Sequence, residues 1–175
     1  MAPVPRVTVQ TADFDLSAES AALRAQDRGV GALVSFVGTV RDRNSGVDHD
    51  QPGAIQALEL EHYPGMTEKA IEAMIDEAHH RFDLRACRVV HRVGLLQPGE
   101  QIVLVLVASA HRGEAFQGCE FLMDYLKTQA PFWKKETTAS GAHWVDARVA
   151  DDAALARWGL AAANAQPAEP AAPSR

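Results

Sequence analysis

The stretch YLKTQAPFWKKE, Tyr125 to Glu136, holds three of the chain's four lysines: Lys127, Lys134 and Lys135. They flank a proline and two large aromatics. Pro131 cannot continue a helix, so the chain turns between Lys127 and the lysine pair. Lys127 falls in the last turn of a predicted helix, where the dipole favours a cation, and that alone accounts for one lysine. Lys134 and Lys135 fall on a predicted strand, whose successive side chains point to opposite faces. One of them can therefore share a pocket with Lys127 while the other points away. Phe132 lies on the face of Lys134, and Trp133 on that of Lys135. A lysine beside apolar rings is partly desolvated, which lowers its pKa and fits it to act as acid, base or nucleophile. A solvated surface pair is the competing reading, and the clustering weighs against it.

A second constellation is SAHRGEAF, Ser109 to Phe116, where an apolar strand ends and a helix begins at once. Unpaired N–H groups and the positive dipole end favour an anion there. Arg112 adds a bidentate donor for phosphate or carboxylate. His111 can hold an anion or move a proton near neutral pH. An equally open reading pairs Arg112 with Glu114 and packs His111 at the sheet edge. Arg41, in TVRDRN, stands where a strand opens into a long polar loop and can reach an anion from that side. Arg148, in WVDARVADD, gains interest only if it joins the others. No phosphate-cradling glycine loop, metal cluster or serine–histidine–acid arrangement stands out. Cys87 and Cys119 have no metal-like spacing and fall in apolar patterns, so both read as buried filler, with one disulfide conceivable but not demanded. His79 and His80 read as surface residues.

Several elements must position these groups. Arg6 to Gln10 alternates as a short strand, and Ser17 can cap a helix running to about Arg28. Ala32–Val40 and Ile55–Tyr63 read as strands, separated by the loop Arg41–Gly53, which is long enough to suggest a functional lid or disorder. Met66, Ala70, Ile71, Met74, Ile75, Ala78 and Phe82 recur at helical spacing as a core stripe. Ala86–Val93 is a strand, QPGE is a turn with Pro98 and Gly99 placed as in type II, and Gln101–Ala110 is a strand covered on both faces. Gly113–Lys127 is a helix burying Phe116, Cys119, Leu122, Met123 and Leu126. Phe132–Thr138 and Trp144–Val149 form a hairpin around ASGA, and a last helix spans Asp151–Leu160. This order indicates an α+β domain with a mixed sheet over residues 1–160. Residues 161–175, rich in alanine and proline, read as a disordered tail.

The 175 residues suit one domain, and 47% apolar residues suffice for a core. A formal net charge of −6 argues against broad nucleic-acid binding. It makes a local basic pocket conspicuous. No signal-peptide-like run opens the chain and no stretch is long enough to span a bilayer. A soluble cytoplasmic protein without a membrane or nucleic-acid partner is the expectation.

The segments LEHYPGMTEKA, HRVGLLQPGEQIVLVLVASAHRGEAF, MDYLKTQAPFWKKE and WVDAR together resemble the large, catalytic subunits of molybdopterin synthase. The resemblance runs from about Gly29 to Trp158 and departs in the Arg41–Gly53 loop and the tail. It implies an α/β-hammerhead type of α+β fold with a mostly antiparallel, mixed sheet. It also implies a homodimer within a heterotetramer, each chain binding one small ubiquitin-like sulfur carrier with a C-terminal Gly-Gly thiocarboxylate. The implied activity is a sulfurtransferase of molybdenum cofactor biosynthesis. It moves two sulfurs onto cyclic pyranopterin monophosphate to form the dithiolene of molybdopterin, with no cofactor or metal in the large subunit. Lys127 and Lys134 match the family's active-site lysines, and His111 and Arg112 its substrate-pocket pair, with His111 assisting proton transfer. Arg41 matches a substrate-side arginine and Arg148 a residue reaching in from the other protomer. Two rivals remain: a lysine-dependent lyase or hydrolase acting on a phosphorylated metabolite, and a non-catalytic module binding a ubiquitin-like tail.

Overall fold

The computed structural model describes residues 2–42, 54–145 and 149–160. Arg148, most of the Arg41–Gly53 loop and the tail 161–175 lie outside the described residues. The elements run β1 (Val7–Gln10), α1 (Leu16–Arg24), β2 (Ala32–Thr39), β3 (Ala57–His62), α2 (Met66–Arg81) and β4 (Ala86–Arg92). They continue with β5 (Gly94–Leu96), β6 (Gln101–Ser109), α3 (Arg112–Gln129), β7 (Phe132–Thr138), β8 (Gly141–Val145) and α4 (Val149–Ala156).

The first sheet has the order β1-β4-β6-β2, with β1 parallel to β4 and the other pairs antiparallel. Its spine is β6, whose side chains alternate between two cores. Val103, Val105 and Val107 join Ile71, Met74 and Ile75 of α2 and Phe121 and Leu122 of α3. Leu104, Leu106 and Ala108 join Phe14 and Leu23 around α1 on the other face. Helices on both faces explain why β6 reads as an unbroken apolar run, and each large side chain buried there contributes about 1.5–3 kcal/mol. The expected doubly covered strand is thus observed.

The second sheet has the order β5-β3-β7-β8 and is antiparallel throughout. Leu58, Leu60, Val93, Leu96 and Val40 bury together where the two sheets meet, with Ile102 and Phe132 packed on them. Two mostly antiparallel sheets with helices segregated on the first make this an α+β fold with one parallel pair, as expected.

Local outcomes differ from the pattern-based expectations at several places. Helix α1 is capped by Asp15, whose carboxylate accepts from Ala18 N at 3.0 Å, rather than by Ser17, and it ends at Arg24, short of Arg28. The carboxylate also complements the helix dipole. Met66 and Phe116, expected in core stripes, are exposed. Met66 opens the first turn of α2. Phe116 stands about 100° around α3 from Ala115, beyond the stripe of Ala115, Cys119, Leu122 and Leu126. Strand β8 starts at Gly141 rather than Trp144, since Thr138 and Ser140 close a tighter turn. Helix α4 is displaced toward the N-terminus of the expected range. Gly99 has φ +90° and follows Pro98, in keeping with the predicted turn. Among the described residues no helix is long and apolar enough to cross a membrane.

Candidate functional site

Helix α3 ends where Ala130 turns extended, at φ −70° and ψ 128°. Pro131 has no N–H to extend the helical ladder. The elbow is pinned from outside by Thr67, which is fully buried. Its hydroxyl donates to Pro131 O at 3.1 Å and accepts from Tyr63 N at 3.1 Å. One side chain thereby ties the start of α2 to the turn that carries the lysines. Beyond the elbow, β7 pairs with β3 in a register that sets Phe132 opposite His62 and Lys134 opposite Leu60.

This arrangement encloses a cleft of about 580 Å³ at the junction of the sheets. The segment just after β2 supplies Arg41, the end of α3 supplies Leu126 and Lys127, and β7 supplies Phe132, Lys134 and Glu136. Leu58, Leu60 and Ile102 form apolar wall, and His91 enters from β4. Arg41, Lys127 and Lys134, expected from the sequence to share a site, are therefore brought together. Phe132, Lys134 and Glu136 share the face of β7 that lines the cleft, as strand alternation requires. Lys135 points away and lies over the Trp144 ring, 5.5 Å from its centroid. In the single chain Lys127 and Lys134 are both exposed.

His111 and Arg112 are placed elsewhere. They start α3, with His111 as an N-cap that makes no side-chain cap bond, and both are exposed. Sixteen residues of helix separate His111 from Lys127, about 24 Å along the axis. Glu114 accepts from Asp83 N at 3.0 Å, and no ion pair between it and Arg112 is present among the described residues.

Two cleft residues escape sequence reasoning. Glu136 is buried and its carboxylate lies 3.9 Å from His143 Nε2. His91 stacks on Phe132, with ring centroids 3.8 Å apart and planes 18° from parallel. Its Nδ1 lies 2.8 Å from Arg92 O. Desolvation pushes the imidazole pKa down to about 4, and the charges of Lys134 and His62 act in the same direction. The signal for His91 was its parity: it occupies the inward register of Cys87 and Val89, where an imidazole is conspicuous.

The cysteines are free and buried. Burial pushes the Cys87 thiol up to about 12 and that of Cys119 to about 11. Both stay protonated near neutral pH and neither is a ready nucleophile. Among the described residues no cluster of histidine, cysteine and acidic side chains could hold a metal ion.

Fold and cleft together define an α+β protein that gathers cations over an apolar floor at a sheet junction, a site for an anionic ligand with a flat or apolar part. The sequence pattern of the MoaE protein family matches residues 9–129, and the chain belongs to that family. A molybdopterin synthase catalytic subunit from Ralstonia nicotianae is 60% identical over 165 residues, covering 94% of this chain and 90% of the relative. The solved structure of a molybdopterin biosynthesis MoaE protein from Burkholderia ambifaria is 57% identical, with a TM-score of 0.75, covering 90% of this chain and 99% of that one. The crystal structure of molybdopterin synthase from Staphylococcus aureus is 28% identical, with a TM-score of 0.72, covering 82% of this chain and 98% of that one.

Proposed function

We propose that this chain is the catalytic subunit of a molybdopterin synthase, a cytoplasmic sulfurtransferase of molybdenum cofactor biosynthesis. Its partner is a small ubiquitin-like carrier whose C-terminal Gly-Gly thiocarboxylate enters the cleft. Its substrate is cyclic pyranopterin monophosphate. The observation that carries the site assignment is the convergence of Arg41, Lys127 and Lys134 on one cleft. Both ligands are anions, and cations aimed at the reacting ends stabilise charge where it moves.

In each transfer the thiocarboxylate sulfur attacks a carbon of the pterin side chain. A C–S bond forms while a C–O bond at the same carbon breaks, the departing oxygen taking up a proton, and the carrier's acyl group stays on the sulfur. Water then attacks the acyl carbon, the acyl–sulfur bond breaks, and the carrier leaves with an ordinary carboxylate. Lys127 and Lys134 hold the thiocarboxylate and the developing oxyanion, and Arg41 meets the substrate's negative charge. No protein thiol is required, which agrees with two buried cysteines whose pKa values burial raises.

His111 and Arg112 stand too far along α3 to serve their own chain's cleft. They act on the substrate from a second protomer, so the homodimer forms part of the active site. Exposed Phe116, one turn from Arg112, offers apolar surface for that contact. The functional assembly is then a homodimer carrying two small subunits.

The reading is tested by incubating the chain with thiocarboxylated carrier and the pterin and measuring dithiolene formation. Turnover by the wild type, lost in Lys127→Ala and kept in Cys119→Ser, is the expected result. A lysine-dependent lyase would instead leave a borohydride-trappable adduct on Lys127. A binding module would take up carrier and release no product.

A further inference from the structure

His91 is not accounted for by packing. It sits on β4 at the register of Val9 and Val103, yet its ring faces the cleft rather than closing into the core. Two contacts fix its orientation. Phe132 covers one ring face. Arg92 O lies within hydrogen-bond distance of Nδ1. A carbonyl oxygen can only accept, so Nδ1 carries the proton and donates. In a neutral imidazole the other nitrogen, Nε2, must then be an acceptor. Nε2 has no hydrogen-bond partner among the described residues.

The groups facing the ring explain why it stays neutral. Lys134 on β7 and His62 on β3 both oppose a second positive charge, and desolvation opposes it more strongly. The cleft therefore holds a fixed, neutral acceptor beside three cationic donors and the Glu136 carboxylate. Arg41, Lys127 and Lys134 can hold only acceptors and negative charge. They cannot recognise an N–H on the ligand.

Resting on the sulfur-transfer reading above, we propose that His91 is a ligand-contacting residue whose Nε2 accepts a hydrogen bond from an N–H donor of the molecule that enters the cleft. Two sources carry that donor: the backbone amides of the carrier's Gly-Gly tail and the ring nitrogens of the pterin. Phe132 is then a positioning residue, holding the imidazole plane so that Nε2 keeps its direction.

The test uses the complete two-subunit enzyme and measures KM separately for thiocarboxylated carrier and for pterin. His91→Phe keeps an aromatic ring against Phe132 and removes the acceptor. His91→Gln supplies an amide oxygen near the position of Nε2. The expected result is a KM at least about 10-fold higher in His91→Phe for one ligand, kcat changing less, and recovery to within about 3-fold in His91→Gln. A rise for the carrier assigns the donor to its tail, and a rise for the pterin assigns it to the ring. Both KM values within 2-fold of wild type in a folded His91→Phe enzyme overturn the proposal. So does His91→Gln as impaired as His91→Phe, since that would mark a structural role. A wild-type enzyme without turnover overturns the sulfur-transfer reading and takes this inference with it, whereas an active wild type with an equally active His91→Phe overturns this inference alone.

Discussion

The cleft histidine and the lysines of the elbow show how much a single residue's surroundings decide. The His91 imidazole titrates near 6.5 in an unfolded chain and near 4 in the fold. Between those values the unfolded chain binds the extra proton. Stability therefore falls as pH drops from about 6.5 toward 4, by up to about 3 kcal/mol for this group. His91→Phe removes that contribution, so its melting temperature should fall less than the wild type's between pH 7 and pH 5. Equal falls in the two proteins would show that His91 titrates normally. His79, also shifted downward, first by desolvation, is common to both proteins and cancels in the comparison. The lysines divide by face. Lys127→Ala should lower turnover by at least about 100-fold, the cost of losing one charge-stabilising donor. Lys135→Ala should leave turnover within about 3-fold, because that side chain lies over Trp144 outside the cleft, and an exposed cation–π contact is worth about 0.5–1 kcal/mol. Steady-state assays of the two variants side by side decide this.

At the scale of elements, the cleft depends on where α3 stops and how β7 leaves it. Thr67 fixes that elbow by joining Tyr63 N–H to Pro131 O. Thr67→Val keeps the volume and strands both polar partners, at about 1–3 kcal/mol of stability. A thermal melt should show the loss, with Thr67→Ser largely restoring it. Gly31 is another fixed point: a Cβ there would stand 2.3 Å from Ala110 O, and its N–H already donates to Ser109 O at 3.0 Å. Gly31→Ala must push β2 away from the end of β6 and should destabilise the fold more than Gly113→Ala, where a Cβ meets open space. What sequence reasoning could see follows from this geometry. The Lys127–Pro131–Lys134 elbow was legible because a proline and a period of two act within ten residues. The β6 run was legible because both of its faces are apolar. His91 was legible only as an inward strand position, because the packing of Phe132 of β7 against it is what makes that position a cleft wall. The separation of His111 and Arg112 from Lys127 was arithmetically present in the helix length. Its meaning appears only once the cleft is located at the C-terminal end of α3.

For the whole molecule, that separation makes a strong claim about assembly. Cations at opposite ends of an 18-residue helix cannot meet around one small substrate within a single chain. If His111 and Arg112 serve the reaction, a symmetric dimer must bring the start of one α3 to the cleft at the end of the other, since a two-fold interface gives both protomers the same exchange. Two inactive variants then complement each other. Lys127→Ala spoils the cleft of its own chain, and Arg112→Ala spoils the cleft of its partner. A hybrid dimer of the two has one cleft with both defects and one with neither. Random mixing at equal amounts makes half the dimers hybrids, each with one of two sites intact, so about a quarter of wild-type turnover should return. The measurement is dithiolene formation after co-refolding the two variants, compared with each refolded alone. Recovery establishes that the sites are shared between protomers. If Arg112 worked within its own chain, every dimer would carry a damaged group in each cleft and the mixture would stay as inactive as its parts.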